Sequence, residues 1–281
     1  MEERRFQSWV PVLIGAILAL SGCATLNNLG RPSPTYAEQK IRCPLGSTLA
    51  GFPPPIGSEI YCVEKDRDGQ LVRSGPSISW YSEKKKYQEG DYIADEKDGL
   101  WISWHENGQK MEETQFIHGK REGLWTLWLP DGTKKFAGNY TRDEMNGVMR
   151  EWNEKEILIK EIPYLAGKKN GQGRMYHPDG SLLALADFEN DQMQGREIRY
   201  WPNGNSAREA FFKKGIVDGQ VTQWHENGNA KSVAQVKNGR IDGIVSYWDP
   251  SGIPLGEAVY ENDRLIRSHA APTRNPNKAG E

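Results

Sequence analysis

Three histidines recur at one place in a repeating pattern. His105, His177 and His225 each stand six residues after a glycine, namely Gly99, Gly171 and Gly219. Imidazoles placed so regularly suggest a metal centre, because neutral histidine is a common transition-metal ligand. Two of them precede a glutamate, as His105-Glu106 and His225-Glu226, a pairing that acid–base catalysis would use. Spacing argues against both. On an open sheet at about 9.6 Å per hairpin the three histidines would lie roughly 29 and 19 Å apart, whereas zinc holds its ligands at about 2 Å. Adjacent residues on a strand point to opposite faces, so His105 and Glu106 cannot serve one site. The expectation is a structural or solvent-facing role for these histidines and no metal.

Other chemistry is equally sparse. Gly171-Gln172-Gly173 has Tyr176 where a dinucleotide fingerprint needs its third glycine, and Asp66-Arg67-Asp68-Gly69 is too short for a calcium loop. No nucleophile elbow or phosphate loop occurs, so no catalytic residue and no cofactor are expected. Lys84-Lys85-Lys86 is flanked by Glu83 and Glu89 and reads as a solvated hairpin end. The balance of 36 Lys+Arg against 38 Asp+Glu, net charge -2, excludes nucleic acid binding by a broad basic face. A mean hydropathy of -0.74 excludes a polytopic membrane protein. Ten tryptophans and 10% aromatic residues exclude disorder throughout.

The elements that carry these residues follow from a strict period. Gly75, Gly99, Gly123, Gly147, Gly171, Gly195, Gly219 and Gly243 are each 24 residues apart. Counting each as position 0, position 5 is aromatic in all eight units: Trp80, Trp104, Trp128, Trp152, Tyr176, Tyr200, Trp224 and Trp248. Position 17 is large, as Tyr92, Phe116, Tyr140, Tyr164, Phe188, Phe212, Val236 and Tyr260, and position 15 is usually small, as Gly90, Gly138, Ala186, Ala210, Ala234 and Ala258. Position 9 is glycine in six units and follows Asn or Asp in five of them, the signal for a type I′ hairpin turn. Lys84 and Glu156 replace that glycine in the other two units, where a different loop is expected. Because positions 5, 15 and 17 are all odd, period-2 alternation is expected to put both aromatic rows on one face. The fold class expected is all-β, an elongated antiparallel sheet of about eight successive 24-residue β-hairpins over residues 75–266.

This pattern resembles the MORN-repeat variant family. It is clearest at Trp104-His105-Glu106-Asn107-Gly108-Gln109-Lys110 with Phe116 and Gly119-Lys120-Arg121-Glu122-Gly123, and Trp224-His225-Glu226-Asn227-Gly228 repeats it. Bacterial members of this family are often labelled antitoxin components or uncharacterised lipoproteins, and other members act in protein or membrane association, so the resemblance implies a repeat scaffold.

The flanks divide as follows. Arg4 and Arg5 precede an apolar run from Trp9 to Leu20, too short to span a bilayer but suited to a signal peptide over residues 1–22. Leu20-Ser21-Gly22-Cys23 resembles the lipobox of bacterial lipoproteins, which implies lipidation at Cys23 and a membrane anchor. Ala24 resembles the sorting signal for the outer membrane, so the location expected is the cell envelope. Residues 23–41 read as a flexible tether, and 267–281 as a disordered tail. Export makes a disulfide between Cys43 and Cys62 the default, stapling an N-terminal cap over residues 42–74.

For binding, Trp101 and Trp125 occupy one position in successive units, and Tyr247 and Trp201 fall near the same strand. Together they are expected to form an exposed aromatic row on the face opposite the ladder. Two partners stay open for such a surface: another envelope protein, as in a neutralising or immunity-type pair, or an envelope glycan stacked on the rings.

Overall fold

The computed structural model describes residues 41–271. Among them there is no helix, and 22 strands form one open antiparallel sheet. The expected signal segment, Cys23, almost all of the tether and residues 272–281 lie outside the described residues. Each strand pairs with its neighbour in the chain, as the period required.

The unit is shown by β5 (Glu96–Trp104) and β6 (Lys110–Ile117), in which Gly99 lies opposite Phe116 and Trp101 opposite Thr114. Position 0 faces position 17 in the same way in all eight hairpins. The glycine at position 0 takes a positive φ in every unit, +73° at Gly99, and the pairing register to the preceding hairpin shifts beside it. A β-bulge repeated at this point is what only glycine accommodates without strain.

The Asn-Gly sites do not form the type I′ turns expected there. At Asn107-Gly108 the Gly108 amide donates to the His105 carbonyl and the His105 amide to the Gln109 carbonyl, each at 2.8 Å. Only Gly108 has a positive φ, +88°, so it closes a three-residue loop in the left-handed position instead of being half of a type I′ pair. The type I′ turns join successive hairpins. Ala94-Asp95, His118-Gly119, Arg142-Asp143, Ala166-Gly167, Asn190-Asp191, Lys214-Gly215, Asn238-Gly239 and Asn262-Asp263 all take φ of 47–51° and then 68–80°. Of the two units lacking the position-9 glycine, one does use another loop, with Glu83-Lys84 linking Ser82 to Lys85. The other keeps the common loop by forcing Glu156 to φ +57°.

The two aromatic rows lie on opposite faces, against expectation. Pairing joins an odd position on one strand to an even one on the other, so odd positions on the two strands point apart. Position 17 therefore shares a face, the inner one, with positions 2, 4, 13 and 15. Position 5 lies on the outer face with positions 1, 3 and 14. Ring contacts follow this division: Trp101 meets Tyr92 and Phe116 edge-on, at 4.9 and 6.4 Å between centroids. Burial concentrates on the inner face, at Trp101, Thr114, Ile162, Ala186, Glu197, Ala210, Val245 and Ala258. The small residues at position 15 give the large ones room, for a Cβ on Gly90 would stand 2.3 Å from the Trp101 ring.

The ends of the sheet continue its rule. β1 (Thr48–Phe52) and β2 (Glu59–Lys65) form a hairpin, and β2 pairs with β3 (Leu71–Ser82) with a register shift between Tyr61 and Val63, beside Cys62. This is the shift seen between repeats, so the cap is a degenerate hairpin in register with the rest. The Cys43–Cys62 disulfide pins the entering chain to it, with 5.4 Å between Cα atoms. Closing a loop of about 20 residues contributes roughly 3 kcal/mol in the chain-entropy account. At the other end β22 (Arg264–Ala270) is the first strand of a ninth unit and runs four residues past the boundary expected at 266.

Candidate functional site

The repeated histidines are staples between repeats. His105 Nε2 lies 2.8 Å from the Trp128 carbonyl, His177 Nε2 3.2 Å from that of Tyr200 and His225 Nε2 3.0 Å from that of Trp248. A carbonyl only accepts, so each imidazole donates from Nε2. The same position is used by the Tyr81 hydroxyl toward Trp104 and by the Trp201 indole toward Trp224. This residue row ties one hairpin to the next by way of the position-5 backbone at five of the seven junctions between the eight repeats. Among the described residues no group of three or more His, Cys, Asp or Glu is placed to hold a metal ion.

At the other end of the strands the type I′ turns stack. The Asp143 amide donates to the Arg121 carbonyl (3.0 Å) and its carboxylate accepts from the Arg121 amide (2.9 Å). Asp95 with Arg73, Asp191 with Lys169 and Asp263 with Ile241 repeat the clasp. The Arg121 amide, followed by the Arg121 guanidinium, holds the Asp143 carboxyl below its ordinary value.

The residues expected to form an exposed aromatic row do not do so. Trp101 is 4% exposed, packed on Gly90 with its indole N–H donating to the Asp91 carbonyl at 3.0 Å. The ammonium of Lys97 lies 4.0 Å from its ring centroid, where burial pulls the amine below its ordinary value against the field of Glu112. Trp125 is half-buried, donates to Glu112 at 2.7 Å and stacks on Phe136. Both are on the same face as the position-17 rings, not opposite them. Trp201 follows the strand Gln192–Tyr200 and serves as a staple, while Tyr247 belongs to the strand Arg240–Trp248, so the structure does not bring these two together. The parity of positions 2 and 17 on paired strands carries this information, given the hairpin register.

Ion pairs occupy both faces. On the inner one Lys135 and Lys160 hold Glu151 at 3.0 and 2.9 Å, and Arg199 and Arg208 both bind the buried Glu197. Burial pushes Glu151 up, but the hydrogen bonds from Lys160 and Lys135 outweigh it and leave the carboxyl below its ordinary value. On the outer face Tyr176 and Arg150 do the same for Glu161.

The outer face is more open than the inner one, although Ile78, Trp80 and Thr126 are buried on it. Lys86 lies 4.7 Å from the Trp104 ring, Lys110 5.1 Å from Trp128 and Lys134 5.3 Å from Trp152, so ammonium groups and indoles alternate across successive repeats. Beside this ladder, position 1 carries Leu100, 45% exposed, and Leu124, 61% exposed. With Gln115 and Trp128 they line a shallow depression of about 460 Å³. Large apolar side chains fixed outward on a rigid sheet, next to a half-buried indole, are what a protein interface uses as anchors. Reading the sequence at position 2 instead of position 1 misses them by one residue and one face.

Comparison with known families finds two matches. The MORN repeat variant model fits residues 97–118 and residues 193–214. Each match runs from one type I′ turn region to the next and so covers one hairpin of the sheet. The two begin four periods apart, in phase with the 24-residue register. No curated protein matches the chain.

Proposed function

We propose that this chain is a non-catalytic β-repeat scaffold, anchored in the cell envelope by lipid on Cys23, that docks a protein partner on its outer face. The observation that carries the reading is the outward pair Leu100 and Leu124 beside Trp128, held on a sheet whose polar groups are stitched repeat to repeat. A repeat surface offers area without a cleft, which suits protein docking more than turnover. The Leu20-Ser21-Gly22-Cys23 motif supports the anchor, and the MORN repeat variant matches support the scaffold. An antitoxin or immunity role is one form that such docking takes. The glycan alternative rested on an exposed tryptophan row, and the burial of Trp101 removes that support.

The test is substitution of Leu100→Thr together with Leu124→Thr, which keeps strand propensity while removing the apolar anchors. Melting should be unchanged within about 0.5 kcal/mol per site, as for ordinary surface changes. The partner recovered by crosslinking wild-type protein in its own cells should be lost. Recovery of the same partner at the same yield contradicts the docking face.

A further inference from the structure

We infer that the inner face of the seventh repeat, from Gly219 onward, is a binding site for a small aromatic carboxylate. The inner face is built around rings, for position 17 is Tyr or Phe in seven of the eight repeats. In the seventh it is Val236. Neighbours do not refill the space, since Val221 and Val245, the position-2 residues on either side, are also short. The result is a depression of about 370 Å³ walled by Val217, Val221, Val236, Ile241 and Val245. That is within the size of small-molecule sites, which run from roughly 300 to 1,000 Å³. Elsewhere on this face the missing element is a ring met edge-on by its neighbours, as Tyr92 is by Trp101 and Tyr140 by Trp125. A flat aromatic body fills the vacancy in kind.

Charge selects the rest of the ligand. The depression opens on one side to the polar row of Arg208, Gln223, Ser232 and Tyr247. Arg208 and Arg199 lie directly opposite each other in the register and share one carboxylate, that of Glu197. Two guanidiniums against one carboxylate leave an excess positive charge beside the apolar pocket, with Arg208 in its lining and Arg199 on the next strand. A guanidinium has five donors in a planar fork, and a second carboxylate matches the geometry that remains. The ligand class is therefore a single ring bearing one carboxylate on a short arm, and it sits on the face opposite the proposed protein-docking surface.

Titration of the full chain with phenylacetate, followed by amide and valine-methyl NMR, tests this directly. The prediction is saturable shifts confined to residues around Val221, Val236 and Val245. The neutral analogue 2-phenylethanol should bind at least about ten-fold more weakly, the loss expected when a charge-assisted hydrogen bond is removed. Val236→Phe supplies the ring that the other repeats carry, so it should keep or raise the melting temperature and abolish binding. Absence of shifts at these valines, or unchanged binding by Val236→Phe, overturns the site. Equal binding of 2-phenylethanol overturns the assignment of a carboxylate.

Discussion

At the scale of single residues, backbone conformation separates positions that composition treats alike. Gly132 holds φ +89° in the three-residue loop, whereas Asp131 before it does not have a positive φ. Gly132→Val should therefore cost more than Gly132→Asn, because asparagine enters the left-handed region at little cost and a β-branched residue does not. Glu156, at φ +57° in the equivalent place, is the converse case. Leaving that region relieves about 1–2 kcal/mol, part of which the extra freedom of glycine in the unfolded chain offsets. Glu156→Gly should thus stabilise by about 0.5–1 kcal/mol, and a fall in melting temperature would contradict the assignment. Trp101, packed on the inner face, has much to lose from truncation. Trp101→Ala should cost about 3–5 kcal/mol as a buried large-to-small change, and Trp128→Ala less, since Trp128 is only half-buried. Equal losses at the two sites would mean that the inner face is not the core.

At the scale of the element, the hairpin and its period were legible in the sequence, while its turns and faces were not. Fixed spacing of Gly75 through Gly243, with an aromatic at position 5 and Asn-Gly or Asp-Gly turn signals within most units, points to eight antiparallel pairs. An Asn-Gly dipeptide fits both a two-residue loop and the last corner of a three-residue one, so composition alone did not say which. The junction turns hide better, since Arg142-Asp143 and Asn190-Asp191 carry no glycine at all. Their aspartates are retained in the left-handed region by the clasp on the preceding hairpin. That clasp has a pH signature. With the Asp143 carboxyl below its ordinary value in the fold, its contribution is fully present above the unfolded-state value and is lost as pH falls through the folded one. The same sign holds for Glu151 and Glu161. Melting temperature should fall as pH drops below the ordinary carboxylate value of about 4, and Asp143→Asn should make that fall shallower. A steeper acid limb in the variant would contradict the clasp.

At the scale of the whole sheet, two faces built from the same repeats do different work. Parity made the difference invisible at first, because both aromatic rows fall at odd positions and only the pairing of odd with even sends them apart. Once Trp101 is buried, the outward candidates become Leu100 and Leu124, and position 1 varies along the chain from these leucines to Gln172 and Arg196. Position 1 is apolar and exposed again at Ile244, but in the second and third repeats two such side chains adjoin beside Trp128, so the proposed docking surface is placed there. Site-specific photo-crosslinking compares positions 124 and 172, which share one place in the repeat and both face outward. A crosslinker at 124 should give a discrete adduct in the native cell, and one at 172 should give none. Adducts of equal yield at both positions, or none at 124, would contradict a docking face at these leucines.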